Sequence, residues 1–305
     1  MAAKSISLMR ALRAATWLLL AVCVGQAAHA DIRVQDDRGI TQVWPVPPQR
    51  IVSLLPSFSE TVCALGECQR LVGVDRYSNF PKQLQALPQL GGGLDPNLEA
   101  VVALKPDVVL MSTATKAAQR LEALGIQVVA LNTQQHADVQ RLLAVMARLL
   151  GLESQGTDAQ PTGAVSQRYW QQVQAGVKAA AASLPARPIK VYFEVSSGPY
   201  AASASSFIGE TLTLLGVGNV VPATMGPFPK INPELVVRAD PDVIMLSESR
   251  LAQLQQRPGW SQLRAMRHQQ VCVFTNAQAD MMVRPGPRLA EAAQSMAQCL
   301  KGVLK

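Results

Sequence analysis

Residues 97–112 and 232–247 spell one pattern twice, at a constant offset of 135 and without a gap: Asn-x-Glu, an apolar helical stretch, Pro-Asp-Val, three apolar residues and Ser. Asn97, Glu99, Pro106, Asp107, Val108 and Ser112 thereby pair with Asn232, Glu234, Pro241, Asp242, Val243 and Ser247. A second echo, Glu-Thr-x-x-x-Leu-Gly, runs from Glu60 to Gly66 and again from Glu210 to Gly216, at an offset of 150. A chain that writes one plan twice is expected to fold into two similar lobes, and a cleft between matching surfaces is the default place for a ligand. The repeat therefore predicts a two-lobed receptor and argues against a single-site enzyme.

The N-terminus has the three parts of an export signal: basic Lys4, Arg10 and Arg13, an apolar run from Ala14 to Val24, and small residues Ala28 and Ala30 around His29. Cleavage is expected after Ala30. The apolar run is short for a membrane span and no later segment replaces it, so the mature protein is expected to be soluble, exported and periplasmic. Leu20-Ala21-Val22-Cys23 resembles a cysteine lipidation site, but Val22 stands where a small residue is usual. Removing residues 1–30 takes away three positive charges and no negative ones, lowering the formal charge from +7 to +4 and leaving 275 of 305 residues. No basic cluster with interleaved aromatics appears, which excludes nucleic acid as an expected partner.

Short runs rich in Val, Ile and Leu alternate with helical patterns after an N-terminal hairpin at Ile32–Val43. Strands are predicted at Ile51–Leu55, Leu71–Val74, Val108–Met111 and Val128–Leu131, and helices at Phe58–Leu65, Asn97–Leu104, Lys116–Leu124 and Ala137–Leu150. Such alternation with continuous apolar strands implies an α/β fold with mainly parallel sheets covered on both faces. Ser154–Gly163 is polar, and Ala164–Leu184 reads as one long helix ended by Pro185 and Pro188. Alternation resumes with Lys190–Val195, Thr211–Leu215, Asn232–Ala239, Val243–Leu246, Val271–Phe274 and a last helix at Arg288–Leu300. The organisation expected is an export segment (1–30), an N-terminal lobe (31–156), a connecting helix (157–186) and a C-terminal lobe (187–305).

Four cysteines remain after cleavage, Cys63, Cys68, Cys272 and Cys299, and an even number in an oxidising compartment suggests disulfides. The predicted last strand carries Cys272 and the helix returning across it carries Cys299, which favours that pairing. Cys63 and Cys68 either close a short loop or stay free. With only His136 and His268 in the mature chain, a His-rich metal site is not expected, and any metal would arrive inside a chelate. The Ser203, Ser205 and Ser206 cluster lacks a nearby His and no Gly-x-Ser-x-Gly elbow exists, so a secreted α/β hydrolase is the weaker reading. No catalytic residue and no cofactor are expected.

The first lobe carries 37 residues from Glu60 to Asn97 where the second has 22 from Glu210 to Asn232. The surplus holds Tyr77, Phe80 and the triplet Gly91-Gly92-Gly93, and extra loop is where specificity tends to be written. Gly92 and Gly93 could offer a floor without side chains to a flat ligand, or simply form a surface loop. Tyr77, Tyr200 in Ser-Gly-Pro-Tyr and Phe228 in Gly-Pro-Phe-Pro occupy loops expected to border the cleft, as ligand walls. Arg284, in Arg-Pro-Gly-Pro-Arg, is a polar anchor or a solvated loop residue. Glu99 and Glu234 read equally well as carboxylates at helix N-termini after the caps Asn97 and Asn232, or as twin docking points for basic residues of a membrane partner.

With these residues assembled, the chain resembles the substrate-binding proteins of bacterial ABC importers for metal chelates, and within them the cobalamin-binding members. The resemblance runs from about Gln49 to the C-terminus. It rests on Arg50-Ile-Val-Ser-Leu-Leu-Pro-Ser57, Glu60-Thr, Leu71-Val-Gly-Val, Tyr77-Ser-x-Phe-Pro, Asn97-Leu-Glu, Pro227-Phe-Pro and Pro287-Arg288. It implies two Rossmann-like lobes joined by one rigid helix, a monomer, and delivery of a small-molecule chelate to the permease dimer of an inner-membrane ABC importer. Glu99 and Glu234 match glutamates presented to permease arginines, Tyr77 matches an aromatic lying against the corrin, and Ser57 joins the ligand set. Phe228 falls where cobalamin-binding members have a tryptophan. Gly93 falls where they have another, a departure that leaves haem and ferric siderophores as alternatives to a corrinoid. Their lobe-stapling disulfide is half matched, Cys299 fitting while its partner position is Leu215.

Overall fold

The computed structural model describes residues 31–153, 163–185 and 188–304. The expected export segment with Cys23, and the polar stretch in which the first lobe boundary was placed, lie outside the described residues.

The hairpin forms as expected from β1 (Ile32–Gln35) and β2 (Thr41–Trp44), antiparallel with Ile32 opposite Trp44. The first sheet consists of β3 (Ile51–Ser53), β4 (Leu71–Val74), β5 (Val108–Ser112) and β6 (Val128–Leu131), all parallel in the order β4-β3-β5-β6. Its helices are α1 (Pro56–Ala64), α2 (Leu98–Ala103), α3 (Ala117–Ala123) and α4 (His136–Leu149). Strand side chains alternate between faces, and the continuous apolar runs feed two cores accordingly. Val52, Val109, Met111, Val128 and Ala130 enter one; Ile51, Val108, Leu110, Val129 and Leu131 enter the other, with Val34 and Trp44 of the hairpin. Asp36 and Asp37 at the hairpin turn close the free edge of β6: Ala130 N–H donates to Asp36 Oδ2, Asp37 N–H to the Ala130 carbonyl, and Asn132 N–H to Asp37 Oδ2.

The expected connecting helix is α5 (Ala164–Ala182), two residues shorter at its end than the sequence pattern suggests. Trp170, Val173, Val177 and Ala180 form its buried stripe at helical spacing. They join the core of the second sheet, together with Val139 and Leu143 from α4, so the two halves share an apolar seam on this side. The Tyr169 hydroxyl donates to the Ala64 carbonyl at the end of α1, which ties α5 to the first half as well.

The second sheet contains β7 (Lys190–Ser196), β8 (Tyr200–Ala201), β9 (Gly218–Asn219), β10 (Val243–Ser247) and β11 (Val271–Phe274). Its order is β11-β10-β7-β8 with β9 also on β7; only β8 is antiparallel. Its helices are α6 (Phe207–Leu214), α7 (Pro233–Ala239), α8 (Leu251–Gln255), α9 (Arg264–Arg267), α10 (Asn276–Met282) and α11 (Leu289–Val303). Helix α11 lies close on α5 because Gly176 has no side chain: a Cβ there would sit 2.5 Å from the Ala290 Cβ. Both disulfides form, Cys272 with Cys299 as expected and Cys63 with Cys68 closing the short loop that the sequence left open.

The repeat at offset 135 now has a physical content. The Asn97 side chain accepts from Ala100 N–H, and that of Asn232 from Glu234 N–H, starting α2 and α7. Both helices end with a left-handed residue, Lys105 at φ 45° and Asp240 at φ 42°. Asp107 exchanges backbone and side-chain hydrogen bonds with Gln49 and Arg50 ahead of β3, and Asp242 does the same with Lys190 at the start of β7.

Candidate functional site

In each sheet the chain leaves its central strand to one side and returns on the other, β4 and β5 flanking β3, β9 and β10 flanking β7. Crevices at the carboxyl ends of parallel strands beside such a switch point are where open α/β sheets bind ligands. Tyr77 and Phe228 lie in loops after the carboxyl ends of β4 and β9, and Tyr200 opens β8 just after the carboxyl end of β7.

Two of the expected wall residues remain accessible, Tyr77 at 59% and Tyr200 at 41% exposure. The Arg76 guanidinium lies 6.0 Å from the centre of the Tyr77 ring. Phe228 is half-buried and meets Phe207 edge-on with ring centres 5.7 Å apart, so it forms a shoulder of the core rather than a free wall.

Three of the expected ligand positions meet the chain's own groups. Arg284 is 8% exposed and its donors are engaged: Nη1 donates to Glu60 Oε1 at 2.8 Å and to Asn79 Oδ1 at 2.9 Å, Nη2 to the Tyr77 carbonyl at 2.9 Å and to Asp280 Oδ2 at 3.1 Å. It links the lobes instead of standing in the cleft as a free ligand anchor. Gly93 is not an open floor, because a Cβ there would lie 2.7 Å from the Leu54 carbonyl at the end of β3; at Gly92 the Asp95 carboxylate occupies that space at 2.3 Å. The glycines let the long loop pack on its own sheet. Ser57, at 4% exposure, lies beside Gly286 of the second half, where a Cβ would sit 3.5 Å from the Ser57 carbonyl oxygen and 3.6 Å from its Cβ.

The lobe contact contains residues that spacing did not single out. Glu60, 3% exposed on α1, accepts from Arg284 and, at 2.7 Å through both oxygens, from Arg288. The Arg288 guanidinium also covers the Phe80 ring at 3.9 Å, and Asn79 Nδ2 donates to Asp280 Oδ2 at 3.0 Å. The available signals were the second echo, which contains Glu60, and the four-residue spacing of Asp280, Arg284 and Arg288. A cavity of about 410 Å³ lies behind this contact, bounded by Glu60, Phe80, Pro81, Tyr169, Val173 and Arg288. None of the expected ligand residues lines it. Beneath the Tyr77 turn, buried Ser53, Ser59 and Ser78 pass hydrogen bonds to Asp75, whose carboxyl is pushed up by burial against the opposing pull of the Ser78 hydroxyl.

Glu99 and Glu234 are exposed, and their carboxylates engage no side chain or backbone group among the described residues. Val102 and Val237, three residues on and again 135 apart, are each 37% exposed. Next to Glu99 runs an apolar groove of about 640 Å³ between α2 and α3, lined by Leu98, Val102, Arg120 and Leu124. Among the described residues no helix is long and apolar enough to cross a membrane.

Two sheet-centred halves bridged by one helix, with aromatic residues over their strand ends, have the architecture of a two-lobed periplasmic binding protein. The chain belongs to the periplasmic binding protein family, whose pattern matches residues 51–277. It is 28% identical over 306 residues to YvrC, an ABC transporter substrate-binding lipoprotein of Bacillus subtilis, covering 93% of each chain. It is 26% identical over 262 residues to the vitamin B12-binding protein of Vibrio cholerae, covering 84% of this chain and 91% of that one. Among solved structures it shares the fold of the periplasmic vitamin B12-binding protein BtuF of Vibrio cholerae, at a TM-score of 0.69, 24% identity and 86% coverage of this chain and 100% of that one. It also shares the fold of the periplasmic heme-binding protein RhuT of Roseiflexus sp. RS-1, at 0.71, 22% identity and coverage of 84% and 99%.

Proposed function

We propose that the protein is exported to the periplasm, captures cobalamin or a related corrinoid between its lobes, and presents it as a monomer to the permease dimer of an inner-membrane ABC importer. Catalysis plays no part in this reading, and the metal travels within the ligand. Tyr77 and Tyr200 offer accessible aromatic faces for a large flat ligand, and Phe228 supports the wall beside them.

The observation that carries the reading is the fate of the repeat. Asn97 and Asn232 cap, Asp107 and Asp242 bind backbone, and Val101 and Val236 are buried, whereas the Glu99 and Glu234 carboxylates alone among the matched charged groups face solvent without a partner among the described residues. An acidic point retained on both lobes, with an exposed valine beside each, suits a symmetric permease offering arginines in an apolar setting. Reversing both charges, Glu99→Lys with Glu234→Lys, is expected to abolish ATP-driven uptake in reconstituted vesicles while cyanocobalamin affinity stays unchanged; uptake that survives refutes the docking assignment.

A haem or ferric-siderophore cargo is the second reading. It is favoured by Gly93, where the Leu54 carbonyl leaves no room for the aromatic wall that cobalamin-binding members carry. Calorimetric titration of the mature protein with cyanocobalamin, haem and a ferric siderophore separates the cargoes, and silence with all three returns the enzyme reading.

A further inference from the structure

The second echo in the sequence acquires a meaning from the lobe contact. Glu60 on α1 reaches out of the first half to Arg288, which stands at the N-cap of α11, and to Arg284 in the segment leading into it. Its counterpart Glu210 on α6 reaches out of the second half in the opposite direction: Glu210 Oε2 accepts from His136 N–H at 2.6 Å, at the start of α4. Helices α4 and α11 are the last helices of their respective halves. Each copy of the motif therefore aims its glutamate at the N-terminal end of the other half's final helix, in one case through guanidinium groups and in the other through the backbone. The neighbouring threonines repeat too, Thr61 donating to the Ser57 carbonyl and Thr211 to the Phe207 carbonyl, so both glutamates leave their helices from the same local geometry.

We infer that Glu60 and Glu210 are a reciprocal pair of positioning residues that set the resting separation of the lobes. Glu60 does more than its twin. By fixing Arg284 it also fixes the Tyr77 carbonyl and the Asn79 side chain, and Arg288 lies over Phe80, so the cleft segment of the first lobe is held in place by the second. The Glu210 contact is reinforced by Phe207 N–H donating to the Gln134 carbonyl and by His136 Nε2 meeting the Phe207 carbonyl and Thr211 hydroxyl. Removing the Glu60 charge leaves two largely buried guanidinium groups without their shared carboxylate, and removing the Glu210 acceptor leaves His136 N–H unpaired, so in both cases the arrangement with the lobes in contact loses stability. The inference deepens the binding reading above, but its test needs no ligand.

Spin labels on cysteines introduced at the exposed positions Gln119 and Gln253 of the protein from Asp31 onward report the distance between lobes, since the four cysteines among the described residues are paired. In ligand-free protein, Glu60→Gln, which removes the charge facing two guanidinium groups, is expected to raise the ratio of long- to short-distance populations by about tenfold or more; Glu210→Ala, which removes the acceptor of His136 N–H, is expected to raise it by about fivefold or more, and the double variant to exceed either. The exposed Lys301→Gln should leave the distribution unchanged. Distributions in both glutamate variants that superimpose on the parent overturn the inference, and a shift in Glu60→Gln alone overturns the reciprocity. Should Glu60→Gln not fold, Arg288→Gln keeps Arg284 on Glu60 and is expected to give a smaller shift in the same direction; no shift there has the same overturning force. Failure to bind any chelate, with the distance shift present, would count against the cargo and not against this pair.

Discussion

The two disulfides differ enough to make a quantitative comparison. Cys272 and Cys299 are separated by 27 positions, Cys63 and Cys68 by only 5. If a cross-link stabilises by restricting the unfolded chain, the loop-entropy relation gives roughly 3.5 kcal/mol for the longer loop and roughly 2 kcal/mol for the shorter. Cys272 is fully buried in the core of the second sheet, so its replacement by Ala also loses sulfur packing, whereas Cys63 is only half-buried at the edge of a cavity. Replacing each pair by Ala and unfolding both proteins in guanidinium should show the Cys272/Cys299 variant less stable than the Cys63/Cys68 variant by about 1.5 kcal/mol or more. At roughly 2–4 °C per kcal/mol for a chain of this size, the melting temperatures should differ by roughly 3–6 °C. Equal losses, or a larger loss from the short loop, would refute the loop-length reasoning here.

Further outcomes follow from single groups. Burial holds the His136 ring below its usual range against the opposing pull of Glu210, so the unfolded chain takes the proton first; stability should be full above about pH 6.5 and fall as the pH drops below it, and His136→Gln should flatten melting curves compared across that interval. Burial raises the Asp75 carboxyl, so its charge costs stability at neutral pH and less in acid; Asp75→Asn should compare more favourably with the parent at pH 7 than at pH 4 in denaturant titrations. Gly93→Ala forces a Cβ against the Leu54 carbonyl and should cost about 1–3 kcal/mol, whereas Gly92→Ala displaces only the end of the Asp95 side chain and should cost less, as thermal unfolding can check.

The parallel sheets were legible because continuous Val, Ile and Leu runs bounded by turn residues leave few alternatives to buried strands. The long helix α5 was legible from its unbroken length without strand signals. Helices α8, α9 and α10 were not, since each is short and Leu254, Ala265 or the Met281-Met282 pair is too little apolar sequence to establish a period. At the candidate site, the accessible tyrosines and paired exposed glutamates stood out by position and repetition. The role of Arg284 did not, because its partner Glu60 lies 224 positions away and nothing local distinguishes a cleft residue from a lobe-to-lobe contact. The surroundings of the glycine triplet were illegible for a related reason: a missing side chain makes room, but sequence does not say what fills it.

The hairpin that precedes the first sheet protects as well as packs. The outer rim of β6 is flanked on both faces by apolar side chains, and bare backbone along such a rim is a template on which another molecule can add a strand. The paired turn aspartates occupy Ala130 and Asn132 with their own charge-bearing groups, ending the ladder in a form that no incoming strand can extend. The edge of the first sheet is thereby closed to strand addition by a second copy of the chain.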